Sequence, residues 1–161
     1  MSTENFSKTH WQRGVSLIIT FSMMTVILAV VLSLTTILFN EIKIISNIGN
    51  SVQALYVAQS GIEKTLYYDR TQIPKKANRG LCNLCNACDA ADCTSCLASA
   101  LAVNGCSVTS CTNCEITYTS TFDDKTYVID AKVVTSGTSI FTINAKGTYK
   151  DATRVLDVTL H

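Results

Sequence analysis

Histidine is almost missing from this chain: His10 stands near the start and His161 is the last residue. A hydrolytic triad needs a histidine beside a nucleophile, and neither position offers one. There is no glycine-rich phosphate loop and no pair of carboxylates in a recognisable motif. Asp123-Asp124 reads as turn chemistry. Excess charge is missing too. With 13 basic and 12 acidic residues the net charge is +1, which implies no strongly charged partner. Lys75, Lys76 and Arg79 cluster without interleaved aromatics, so they read as a solvated loop and nucleic acid is not an expected partner. The reading is of a non-enzymatic chain without a cofactor. At 161 residues it suits one modest domain plus one membrane segment.

Charge is wholly absent from Val15 to Phe39. A helix over that stretch reaches roughly 37 Å, enough to cross a hydrocarbon core of ~30 Å. A soluble core helix is rarely apolar on every face. A cleaved secretory signal is the other use of an N-terminal apolar run, but it has a short apolar region and a small-x-small cleavage site. This run is longer and leaves through LFNEIKI without such a site. Lys8 and Arg13 precede the span, whereas Glu41 and Lys43 follow it and cancel. The positive-inside bias places the N-terminus in the cytoplasm and residues beyond 40 outside.

Helical spacing continues past Asn40, with Ile45, Ile48, Val52, Leu55, Ile62 and Leu66 in steps of three, four or seven. Pro74 disfavours helix at Ile73, so the helix is expected to end between Asp69 and Gln72. Gly49 and Gly61 each cost roughly 1 kcal/mol relative to Ala, and mark either close packing or tolerated surface positions. The last part alternates with period two over 115–122, 126–135, 139–149 and 153–160, joined by short connections. The expectation is a four-stranded antiparallel meander, its apolar face covered by helix residues 45–66.

Cysteine is absent outside Cys82 to Cys114, yet eight lie within it: Cys82, Cys85, Cys88, Cys93, Cys96, Cys106, Cys111 and Cys114. The run C-x2-C-x2-C is similar to cluster ligation, and paired C-x2-C groups also suit zinc. The usual fourth cluster cysteine followed by proline is missing, and no histidine lies nearby. With the segment outside the cytoplasm, disulfides are the expected use, their pairing open among 105 connectivities. They would staple a loop with few large apolar side chains. A cysteine-held metal or iron–sulfur site on a single-pass anchored protein is the rival reading.

A polar leader ending in Arg13-Gly14, an all-apolar helix, its amphipathic continuation, a variable loop and an antiparallel sheet resemble the type IV pilins and type II secretion pseudopilins. The architecture matches over the whole chain, and sequence-specific likeness over residues 12–70, including QALYVAQSGIEKTLYYDR. The resemblance implies an α+β, pilin-like fold divided into a leader (1–14), a membrane and filament-core half-helix (15–39), an amphipathic half (40–72), a cysteine-rich loop (73–114) and a sheet (115–161). It further implies cleavage by a prepilin peptidase between Gly14 and Val15, with methylation of the new amine. The implied partners are other pilin subunits, that peptidase, an inner-membrane assembly platform, and membrane lipid before assembly. The implied location is the cytoplasmic membrane, single-pass, and later an external filament. Most major pilins carry Glu at the fifth residue after the glycine, and here that residue is Ile19. An unpaired ionised group in hydrocarbon is costly. A chain with Ile19 cannot pair with a neighbour's amine through that position, which places it with minor subunits at a tip or at initiation.

Overall fold

A computed structural model describes residues 6–161, with side chains from residue 15 on. One helix, α1, runs Phe6–Thr71. Its end falls where Pro74 requires it, before Ile73. The chain divides into two compact units, the second beginning at Asn47. In the first unit every side chain from Val15 to Ser46 is exposed, and the helix there is long and apolar enough to cross a membrane.

The second unit holds the rest of α1, a 3-10 turn at Leu81–Asn83, a short α2 at Leu84–Ala87, and five strands. These are β1 (Thr94–Ala100), β2 (Cys114–Phe122), β3 (Lys125–Ser136), β4 (Thr138–Tyr149) and β5 (Ala152–Leu160). They form one antiparallel sheet in sequence order. The fold is α+β as expected, and strands β2 to β5 begin and end within a residue of the alternating runs. Tight hairpins join them, with Asp123 at φ 50° and Lys150 at φ 51° in the turns.

The expected count of four strands is corrected to five. β1 comes from inside the cysteine-rich segment, where TSCLASA shows no alternation and only Cys96 is not fully exposed. It pairs with β2 in regular register from Leu97 to Ala100, after an irregularity following Thr94. Its place is fixed by the Cys85–Cys96 bond rather than by a hydrophobic pattern.

The core lies on one face of the sheet, in cross-strand rows such as Tyr118–Ile129–Ala145–Leu156 and Ile116–Ala131–Ile143–Val158. The helix residues that cover it are Ala54, Val57, Ala58, Gly61, Ile62 and Thr65, all buried. The expected set is corrected here as well. Ile62 is buried and Leu66 half-buried, but Ile45, Ile48, Val52 and Leu55 are exposed. Close approach explains the choice. A Cβ on Gly147 of β4 would lie 2.2 Å from the Ala54 carbonyl oxygen and 2.5 Å from the Ala58 nitrogen, so the two backbones meet there. Such a contact admits Ala and Gly and excludes branched side chains. Gly61 belongs to the same face, where an added Cβ would meet Ile129 Cδ1 at 2.7 Å; Gly49 has nothing within 4 Å.

Candidate functional site

Two surfaces carry the features that the sequence singles out, one in each unit. The first is the helix from Val15 to Phe39. Its large apolar side chains stand outward, and Ile19, at 52% exposed, is one of them. Its four threonine hydroxyls are turned back on the helix. Thr20 Oγ1 donates to the Leu17 carbonyl at 3.0 Å, Thr25 to Ser22 at 2.8 Å, Thr35 to Val31 at 2.8 Å and Thr36 to Ser33 at 2.8 Å. In hydrocarbon no water is available to these groups, so internal satisfaction is what such a medium demands. By length and composition this helix could cross a membrane. The expected leader, residues 1–14, lies outside the residues whose side chains are described. At the expected cut, Val15 is 53% exposed and lies within α1.

The second surface is the cysteine-rich segment. All eight cysteines are bonded, as Cys82–Cys111, Cys85–Cys96, Cys88–Cys93 and Cys106–Cys114. Disulfides were expected, and the pairing left open by the sequence is now given. Two bonds tie the segment to the sheet, since Cys96 lies on β1 and Cys114 opens β2. Cys82, Cys88, Cys93, Cys111 and Cys114 join the core themselves, together with fully buried Leu81 and Leu84. The bonded sulfurs thus replace much of the apolar bulk that the segment lacks. Among the described residues, no group of three or more His, Cys, Asp or Glu is placed to hold a metal ion.

Asp69 is a residue that sequence reasoning used only as a helix boundary. It is 5% exposed, and Arg79 grips it twice, Nε to Oδ1 at 3.0 Å and Nη2 to Oδ2 at 2.7 Å. The Leu81 amide donates to Oδ1 at 3.2 Å, and the Gly80 amide to the Asp69 carbonyl at 2.8 Å. The guanidinium also stacks over Phe141, 4.6 Å from the ring centre. So the basic cluster splits: Lys75 and Lys76 remain exposed, whereas Arg79 anchors the start of the cysteine segment to the end of α1. These groups border a cleft of about 540 Å³ that Ile73, Asn78, Leu160 and His161 also line.

Under the helix, Tyr118 is 1% exposed and its hydroxyl lies 3.0 Å from Thr65 Oγ1, which itself donates to the Gly61 carbonyl at 2.8 Å. Burial pushes the Tyr118 pKa well above the ordinary tyrosine value. On the opposite face of the sheet, partial burial and then the nearby Glu115 carboxylate raise the pKa of Asp130.

No protein-family model matches the chain, and neither a curated protein nor a solved structure matches it significantly.

Proposed function

We propose that the chain is a structural subunit of a type IV pilus-like filament, a minor pilin or pseudopilin rather than an enzyme. It is inserted in the membrane as a precursor and packed into a fibre through its N-terminal helix. One observation carries this reading. The exposed, uncharged stretch of α1 from Val15 to Phe39 belongs to the same helix as the residues, Ala54 to Thr65, that cover an antiparallel sheet. An anchor whose only task is to hold a domain at a membrane needs no such continuity, and a linker would serve. The Arg13-Gly14 step before the apolar run and the outward-facing Ile19 add to it. In this reading the cut falls between Gly14 and Val15. The new N-terminal helix meets lipid first and neighbouring subunits later, and Ile19 assigns the chain to a tip or initiating position. The rival cysteine-held metal site would require thiolates, and the eight cysteines are taken up as disulfides.

Mass spectrometry of the chain extracted from membranes tests the proposal. The expected product has lost residues 1–14 and carries a methyl group on the Val15 amine. An intact Met1 on membrane-extracted protein overturns it.

A further inference from the structure

The sheet has a free edge at β1, and beyond the irregularity after Thr94 that edge carries neither charge nor proline. Edge strands are normally blunted by lysine, proline or a covering loop. From Thr94 to Asn113 there is no charged residue and no proline, and Leu97 to Asn104 is exposed throughout. Leu97, at 61% exposed, and Leu101 stand on the face opposite the core, because Ala98 lies against buried Ile116 and Ala100 against buried Cys114. The ladder also fixes where the backbone groups point. The Leu101 amide donates to the Asn113 carbonyl at 2.9 Å, and in the same register Ser99 faces Glu115 and Leu97 faces Thr117. Hydrogen-bonded and non-bonded pairs alternate along an antiparallel ladder. Hence Ala98 and Ala100 turn their N–H and C=O groups outward.

Residues 97–101 read LASAL, the same in both directions. We infer that β1 pairs antiparallel with β1 of a second copy, about a two-fold axis at Ser99. Ala98 then faces the partner's Ala100, both with outward groups, giving about four inter-chain hydrogen bonds. Leu97 faces the partner's Leu101 on the outer face, and the serines meet on the axis. No charge opposes its own copy across the two-fold. The two Glu115 carboxylates lie three strand spacings apart, roughly 14 Å, and are screened. The contact is isologous and therefore closes at two copies.

The two-fold stands normal to the sheet, so it reverses helix residues 54–69, which lie along the sheet. Five residues a side bury less than the ~1,200 Å² of a standard interface, so single contacts are weak and act when many copies face each other. The inference holds whether or not the chain is a filament subunit.

The test uses the full chain in detergent micelles. Facing serines in a non-hydrogen-bonded pair have Cα atoms about 4.5 Å apart, within disulfide reach. Ser99→Cys is expected to give at least tenfold more inter-chain disulfide dimer than Thr153→Cys on β5. Adding L97K/L101K is expected to abolish the dimer, and L97K/L101E to restore it, because the introduced opposite charges face each other across the axis. The pairing is overturned if Ser99→Cys keeps its native bonds and one free thiol without forming dimer, or if Thr153→Cys dimerises equally. Should Ser99→Cys scramble the native bonds, Ala100→Pro decides by the clustering of liposomes that display many copies outward, read by light scattering. It deletes an outward amide that the fold does not use, so wild-type liposomes that fail to cluster, or Ala100→Pro liposomes that cluster equally, overturn the pairing.

Discussion

Gly147 sits in the cross-strand row Ser120–Tyr127–Gly147–Arg154, where the helix backbone crosses the sheet. Arg154 at the end of that row donates from Nε to Ser51 Oγ at 2.7 Å. A methyl group at Gly147 would strike backbone rather than a flexible side-chain tip. We expect Gly147→Ala to cost about 1–3 kcal/mol or more, the range for an overpacked interior. Gly49→Ala has open space around it and is expected to be neutral or to stabilise by up to ~1 kcal/mol. Denaturant melts of the two variants in the same detergent check the contrast. Tyr118 supplies a pH signature from the same contact. Its folded pKa is raised, so the unfolded chain loses that proton first, and the associated stability is whole below about pH 10 and falls as pH rises beyond it. Thermal melts between pH 8 and pH 11 are expected to show a decline that Tyr118→Phe flattens. A Tyr118→Phe profile as steep as wild type would show that other groups cause it.

At the scale of elements, β2 to β5 were legible because one sheet face is buried and the other wet, which writes period two into the chain. The end of α1 was legible from Pro74, whereas its start at Phe6 lies nine residues before the apolar run that marked it in the sequence. The buried face of α1 was not. Leu, Ile and Val at helical spacing mark it only where packing is side chain on side chain. Here backbone meets backbone, and the informative residues are Ala54, Ala58 and Gly61, which no hydropathy pattern weights. β1 was hidden for a different reason, since a strand exposed on both faces has no alternation to read. The Asp69–Arg79 pair was hidden because its partners lie ten positions apart across a turn. That pair joins two elements, and its loss is argued from what stays behind. Arg79→Ala leaves a buried carboxylate with only backbone donors, and because Arg79 reaches solvent at its edge we expect a cost of about 2–3 kcal/mol. Arg79→Lys keeps the charge but lacks the planar fork, so an intermediate loss is expected. Equal losses for both variants, by denaturant melts, would show that charge alone does not hold the pair together.

Across the whole molecule, the two units depend on different surroundings. Residues 15–46 bury nothing and leave a broad apolar surface to be covered from outside, whereas residues from 47 on contain the entire core. Within that core the sheet face is apolar in its own right, but the segment between Pro74 and Cys114 contributes mainly cysteines, Leu81 and Leu84. Its order therefore rests on the disulfides. In the chain-entropy account, closing a loop with a separation of 29 residues, as Cys82–Cys111 does, stabilises by about 3.6 kcal/mol. The nested bonds constrain the same loop, so their contributions do not simply add. Reduction is thus expected to release the segment while β3, β4 and β5, which contain no cysteine, keep their ladders. Limited proteolysis of the reduced full chain should cut between residues 83 and 113, and hydrogen exchange should still find the β3 and β4 amides protected. Loss of protection in those strands at the same reductant concentration would show that the bonds hold the sheet itself. The same experiment bears on the free edge, because β1 keeps its place through Cys85–Cys96. A reduced chain is expected to lose β1 first, and with it any association that runs through residues 97–101.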